Sequence, residues 1–248
     1  MDYDLFFSEE VNTPCLVFIH GAGGDKTQWY LQQHFFQKLG WKVLILSLPK
    51  HGLSNQIKEV SISNYANAIL NLIITLKLEQ VTLIGHSMGG AIAIQLALND
   101  SNNLVSSLVL IGAGAKLKVT PIFFELIETD FIKFLDLMKE FGYNKETKED
   151  VKNRIEEILK NCGPDVFLQD FKACNAFDIR EELSNLKIPI LIICGENDMM
   201  TPSKYSTYLH EKISNSKLSL IPNAGHYVFL ESSNEVNKVI EEFLKQIR

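Results

Sequence analysis

Val81-Thr82-Leu83-Ile84-Gly85-His86-Ser87-Met88-Gly89-Gly90-Ala91-Ile92-Ala93-Ile94-Gln95-Leu96-Ala97-Leu98 is the stretch that decides the fold. Val81–Ile84 reads as a short apolar strand, Ala91–Leu98 reads as a helix, and a G-x-S-x-G pattern stands between them. Alone the pattern is weak. With Gly and Ser each near ~7 % of residues, roughly one chain in ten of this length carries it by chance. The strand running directly into it and the helix leaving directly from it make it specific. A strand that turns sharply into a helix presents its serine on a strained corner, and Gly85 and Gly89 leave the room that this corner needs. A helix starting at Met88 aims its first N–H groups and positive dipole end at developing negative charge. Ser87 is therefore the candidate nucleophile.

Outward from this stretch the chain alternates between short strands and helices. Cys15–Ile19, Val43–Leu48, Leu108–Ile111, Ile190–Cys194 and Leu218–Ile221 join Val81–Ile84 as expected strands. Their almost continuous apolarity fits a parallel sheet covered on both faces. The last helix places Val236, Val239, Ile240, Phe243, Leu244 and Ile247 on one face. The expected class is α/β, a doubly wound and mostly parallel sheet. Between about Lys116 and Lys187 the alternation stops and only helical patterns remain. Thr120-Pro121 reads as a helix start, and Gly142 as a helix end. Thr147 with Asp150 reads as a second cap, ahead of a stripe of Val151, Ile155, Ile158 and Leu159. Gly163-Pro164-Asp165 introduces a third helical stretch. The expected division is a core of residues 1–115 and 188–248, with 116–187 as a helical lid over the carboxyl edge of the sheet.

A serine hydroxyl needs a base. His226, in Asn223-Ala224-Gly225-His226, follows the last expected strand and so falls on the same sheet edge as Ser87. His86 is expected to point away across the turn, His210 to lie on a helix surface, and His34 and His51 to be ordinary loop or helix residues. The base needs a carboxylate to fix its tautomer. Gly195-Glu196-Asn197-Asp198 supplies two at a strand end, and Asp198, deeper in the loop, is preferred over Glu196. Gly112-Ala113-Gly114-Ala115 offers none at the end of the strand before. His20-Gly21-Ala22-Gly23-Gly24 is a glycine-rich turn that can aim backbone N–H groups at an oxyanion. The expected donors are the N–H groups of Ala22 and Met88, with His20, Gly21, Gly85 and Gly89 supporting the two loops.

At these residues the sequence resembles the α/β-hydrolase superfamily. The matching blocks are H-G-A-G-G (20–24), L-P-K-H-G-L-S (48–54), G-H-S-M-G-G (85–90), G-E-N-D (195–198) and N-A-G-H (223–226). Within it the chain looks like the small capped bacterial esterases, enol-lactonases and C–C bond hydrolases. The resemblance implies Ser87, Asp198 and His226 as the triad and 116–187 as the lid. Relatives usually begin with a two-strand hairpin; here only about Tyr3–Glu9 precedes the first parallel strand. Many carry Asp where Ser47 stands. A serine nucleophile counts against epoxide hydrolases and dehalogenases, which use aspartate.

The 248 residues, 46 % hydrophobic and 22 % charged, suit one folded α/β unit. A net charge of −6 disfavours nucleic acid as a partner. The acidic start Met1-Asp2-Tyr3-Asp4 does not read as a signal peptide, and no apolar run approaches the roughly 20 residues of a membrane span, so a cytoplasmic monomer or homodimer is expected. Cys15, Cys162, Cys174 and Cys194 show no CxxC spacing, and Cys15 and Cys194 read as small buried hydrophobes. There is no nucleotide motif and no zinc spacing, so neither cofactor nor metal is expected. Phe123, Phe124, Leu126, Ile127, Phe131, Phe134, Leu135, Leu137, Met138 and Phe141 crowd the lid, too many for one helix face. Most are expected in its own core, and some in an acyl or alcohol pocket. No Arg or Lys cluster reads as an anion clamp. The expected activity is a serine hydrolase acting through an acyl-enzyme on a small to medium, uncharged, fairly apolar carboxylic ester. The alternatives are a C–C hydrolase, lactonase or lyase using the same triad, an acyltransferase, or a non-catalytic receptor.

Overall fold

A computed structural model of the chain describes residues 1–7 and 14–247. Its seven strands are β1 (Asp2–Phe6), β2 (Cys15–Ile19), β3 (Lys42–Ser47), β4 (Val81–His86), β5 (Val105–Ile111), β6 (Ile190–Gly195) and β7 (Ser216–Ile221). They form one sheet in the order β1-β3-β2-β4-β5-β6-β7, with β1 antiparallel to β3 and every other pairing parallel. The alternation of side chains across the pleat feeds two cores. Cys15, Val17 and Ile19 of β2 enter one, while Leu16 and Phe18 enter the other.

Helices cover both faces. These are α1 (Tyr30–Lys38), α2 (Ile62–Thr75), α3 (Met88–Asn99), α4 (Pro121–Thr129), α5 (Phe131–Gly142), α6 (Glu149–Cys162), α7 (Pro164–Ala176), α8 (Ser203–Lys212), α9 (Val228–Glu231) and α10 (Ser233–Gln246). The apolar faces of α2, α3 and α8 fill one core, and those of α1 and α10 fill the other. β3 lies on one side of β2 and β4 on the other, so the winding reverses between β2 and β4. The carboxyl ends of those two strands carry His20–Gly24 and Ser87. Such a reversal opens a crevice at the strand ends, where open α/β sheets bind ligands.

The four helices α4–α7 enter between β5 and β6, and an antiparallel bridge between Lys116 and Asp178 pinches the base of the insertion. Pro121 stands in the first turn of α4 and α5 ends at Gly142, as the sequence implies. Thr147 does not cap α6. Its hydroxyl donates to Glu231 Oε2, and Lys148 occupies the cap position instead.

β1 was not legible as a strand, because Asp2 and Asp4 interrupt it. It is an edge strand paired on one side only, where charges are tolerated, and Lys26 Nζ meets Asp2 Oδ1 at 2.8 Å and Asp4 Oδ1 at 3.0 Å. Of the Tyr3–Glu9 stretch, residues 8 and 9 lie outside the described residues. Among the described residues no helix is long and apolar enough to cross a membrane.

Candidate active site

Ser87 joins β4 to α3 with φ 53° and ψ −115°, a conformation that costs on the order of 1–3 kcal/mol for a residue with a side chain. The close packing around it explains the glycines. A Cβ on Gly85 would stand 2.3 Å from Gly89 O, and one on Gly89 would stand 2.2 Å from Ile19 O. The helix must therefore lie directly on the ends of β4 and β2, which brings the first turn of α3 and the His20–Gly24 loop together beside Ser87.

His226 lies on the loop after β7 and is 2 % exposed. Its Nδ1–H donates to Asp198 Oδ2 at 2.9 Å, which leaves the Nε2 lone pair free to take a proton. Asp198 Oδ1 accepts the N–H groups of Met200 at 2.9 Å and Thr201 at 2.8 Å. Asp198 is buried, whereas Glu196 is exposed and does not reach His226. Ser87 and His226 line one small cavity together with Ala22, His86 and Met200.

Two further residues frame this pair, and the sequence reading had not singled them out. Thr201 Oγ1 lies 2.8 Å from Gly112 O, 2.8 Å from Asp198 Oδ2 and 3.1 Å from His226 Nδ1. Gly112, at φ +54°, leaves room for the pair: a Cβ there would stand 3.2 Å from both Asp198 Oδ2 and His226 Nδ1.

The loop after β2 is a tight turn. Gly21 O accepts from Gly24 N–H at 3.2 Å and lies 2.8 Å from His20 Nδ1. The C=O of Gly21 and the N–H of Ala22 share a peptide plane and point in opposite directions. Fixing that carbonyl against His20 therefore turns the Ala22 N–H the other way. His20 Nε2 accepts the Leu48 N–H at 2.9 Å, so its ring is neutral with the proton on Nδ1. Burial, and then the nearby His51 charge, pull its pKa down to about 3.

His86 does not simply point away. Its Nε2–H donates to the His226 carbonyl at 3.0 Å and the two rings lie 4.6 Å apart, tilted by 51°, so it braces the loop that carries His226. Burial, and then His226, hold its pKa well below the ordinary value. His210 is exposed, as expected. His51 is not an ordinary loop residue: it is 1 % exposed and pairs with Asp170 of α7 at 2.8 Å.

Above Ser87 opens a cavity of about 310 Å³, lined by Ala22, Leu117, Val119, Phe123, Phe141, Phe171 and Met199 among others. Of the aromatic and aliphatic residues crowding 121–142, Phe123 and Phe141 face this cavity. Leu126, Ile127, Phe134 and Leu135 are buried in the packing of the insertion, and Met138, also buried, lines the small cavity shared by Ser87 and His226. Beside its mouth lies a second pocket of about 390 Å³, where Lys116, Lys118, Arg180 and Lys204 gather around Tyr205 and Tyr208. Their spacing in sequence hid this cluster. Asp178 pairs with Lys116 at 2.9 Å and with Arg180 at 2.8 Å, and its single carboxylate offsets one of the four charges.

This site and its topology define the class, and comparison with known proteins gives the family. Residues 16–239 match the model of the alpha/beta hydrolase family, and the chain belongs to that family of enzymes. It is 28% identical over 257 residues to a 2-hydroxy-6-oxononadienedioate/2-hydroxy-6-oxononatrienedioate hydrolase of Burkholderia vietnamiensis, covering 93% of this chain and 87% of that one. Among solved structures, a thermophilic esterase is 31% identical with a TM-score of 0.84, covering 99% of both chains. An esterase of Exiguobacterium antarcticum superposes with a TM-score of 0.92 at 23% identity, over 98% of this chain and 94% of that one.

Proposed function

We propose that the chain is a serine hydrolase that cleaves a small to medium, uncharged, fairly apolar carboxylic ester through an acyl-enzyme. The observation that carries this reading is the strained Ser87 sharing a cavity with His226, whose Nδ1–H is held by the buried Asp198. In this reading His226 Nε2 takes the Ser87 proton as Oγ attacks the ester carbonyl. The tetrahedral oxyanion rests on the N–H groups of Ala22 and Met88, and the protonated His226 returns its proton to the leaving alcohol. Water then attacks the acyl-enzyme by the same steps in reverse, and the acid leaves.

Residues 116–187 act as the lid. The apolar wall of Leu117, Val119, Phe123, Phe141 and Phe171 supports an uncharged acyl or alcohol group against it. The similarity to an esterase over the full chain supports the bond type. The test is a panel of esters, thioesters, lactones and amides with wild type and Ser87→Ala. Multiple turnover of a short p-nitrophenyl ester by the wild type, abolished in a folded Ser87→Ala, is the expected result. Unchanged turnover by the variant refutes the assignment.

The relative named as a 2-hydroxy-6-oxononadienedioate hydrolase supports a second reading, C–C bond cleavage by the same residues. Turnover of a vinylogous dienone with negligible ester turnover would favour it.

A further inference from the structure

Asp170 is fully buried on α7, in the helical insertion, yet its carboxylate reaches the loop after β2. Three groups point protons at it. Gly23 N–H donates to Oδ2 at 2.9 Å, His51 Nε2–H donates to Oδ2 at 2.8 Å, and the Tyr65 hydroxyl donates to Oδ1 at 2.8 Å. The other nitrogen of His51, Nδ1, lies 3.0 Å from the carbonyl of Pro49. Both ring nitrogens thus face acceptors, which an imidazolium satisfies and a neutral ring does not. A buried carboxylate without a partner would be costly, and the His51 charge balances it. The neighbouring His20, 4.8 Å away ring to ring, stays neutral for the reasons given above.

The consequence falls on the turn that carries Ala22. Gly23 sits at φ +68°, and a Cβ there would stand 2.0 Å from the Phe167 ring, so α7 presses directly on this residue. One end of the turn is fixed by the Gly21 carbonyl and His20, and the other by Gly23 N–H on Asp170. We infer that Asp170 is a positioning residue: a carboxylate supplied by the helical insertion that holds the Gly21–Gly24 turn, and with it the Ala22 N–H, in the shape that receives an oxyanion. This rests on the proposed acyl chemistry at Ser87.

Gly23 and His51 share Oδ2, and Oδ1 meets the Tyr65 hydroxyl, which can accept as well as donate; an asparagine could therefore keep Gly23 on its oxygen and donate its NH₂ to Tyr65. Asp170→Ala instead removes the acceptor and leaves the Gly23 N–H without its partner. The expected result is that kcat for a p-nitrophenyl ester falls about 30- to 100-fold while KM stays within threefold, since the turn meets the oxyanion only in the transition state. Asp178→Asn, at the exposed base of the same insertion, should leave both within twofold. A folded Asp170→Ala with kcat within threefold of wild type overturns the proposal, and so does one whose KM rises while kcat holds.

Amide hydrogen exchange of Gly23 tests the anchor without relying on turnover or on the variant folding. Protection of at least ~100-fold in the wild type is expected, and an unprotected Gly23 amide overturns the proposal. If wild type and Ser87→Ala prove equally inert towards every ester, the acyl reading fails, and the exchange measurement still judges the anchor.

Discussion

Asp198→Asn separates the two carboxylates after β6 and has a magnitude that the geometry fixes. Asp198 Oδ1 accepts two backbone N–H groups, and Oδ2 faces His226 Nδ1 at 2.9 Å and Thr201 Oγ1 at 2.8 Å. An asparagine has one acceptor oxygen. If that oxygen kept the backbone donors, the NH₂ would face His226 Nδ1, which must then accept. The imidazole proton would move to Nε2, on the side of Ser87, and the ring could no longer take the serine proton. If the amide flipped, its NH₂ would meet two backbone donors in a buried site, each mismatch costing about 1–3 kcal/mol. The first arrangement wins, and it holds the wrong tautomer. The expected loss in kcat is about 10⁴-fold, about 5.4 kcal/mol at ~1.36 kcal/mol per decade. Glu196→Gln, exposed and away from His226, should leave kcat within about twofold. The assay is steady-state hydrolysis of p-nitrophenyl butyrate at pH 6–9, with urea unfolding to confirm that both variants fold. Asp198→Asn retaining kcat within tenfold, or Glu196→Gln losing a hundredfold, would refute the reasoning.

Gly85→Ala should lower stability by about 2–3 kcal/mol, because its Cβ would lie 2.3 Å from Gly89 O in a backbone that cannot yield; an unchanged urea midpoint would contradict the packing at the elbow. Across p-nitrophenyl esters of rising chain length, kcat/KM should climb about fourfold per methylene, from about 0.8 kcal/mol each, until the cavity is full, and Phe141→Ala should move the break to longer chains. Burial opposes charge on His51, but the Asp170 carboxylate outweighs it and holds the pKa well above 6.5. The native ring thus keeps a proton that the unfolded chain releases. Its stabilisation is full below about pH 6.5 and is lost as pH rises through the folded value. His20 works in the other direction: at about 3 when folded, it makes stability fall as pH drops from about 6.5 towards about 3. The groups around His51 are Asp170, His20, Tyr65 and Cys162. Urea midpoints between pH 4 and 10 should therefore form a dome, and its alkaline arm should flatten in His51→Gln; an unaltered arm in that variant would exclude His51 as its source.

What the sequence made legible was local. Apolar runs marked the six parallel strands to within three residues, because β2 to β6 are buried on both faces along nearly their whole length and need no alternation, while β7, at the sheet edge, is partly exposed. β5 begins three residues before its apolar run, since Ser106 and Ser107 interrupt it. Ser107 is nevertheless buried, its hydroxyl 2.8 Å from that of Thr82 on β4. The candidate site was legible in the same way: glycine patterns at strand ends are local consequences of the turns they permit. Asp170, His51, Tyr65 and Thr201 were not, because their roles come from partners 3 to 147 positions away. One signal for Asp170 was present. Phe167, Asp170, Phe171 and Cys174 fall at i, i+3, i+4 and i+7, so an acid sits on an otherwise apolar helical stripe. A carboxylate in that place needs donors from elsewhere, and the sequence does not say which.

Those donors change how residues 116–187 should be understood. As an apolar cover this segment would be exchangeable for any other of similar shape. Its polar contacts argue otherwise. Through Asp170 it holds the turn after β2. Through Gly142, whose carbonyl accepts the His226 N–H at 2.9 Å, it holds the loop carrying His226. Glu231 of α9 ties the same two segments from below, accepting the N–H of Asn144 at 2.8 Å and of Gly225 at 3.0 Å. A substitution in the insertion can therefore act in two separable ways. Changes at Phe123 or Phe141 alter the wall of the cavity and should appear in the choice of substrate. Changes at Asp170, or at the turn ending α5, alter the backbone that meets the reacting atoms and should appear in kcat for every substrate alike. A graft of a relative's helices onto this sheet keeps its rate only if it carries an acceptor to Gly23 and a carbonyl to His226.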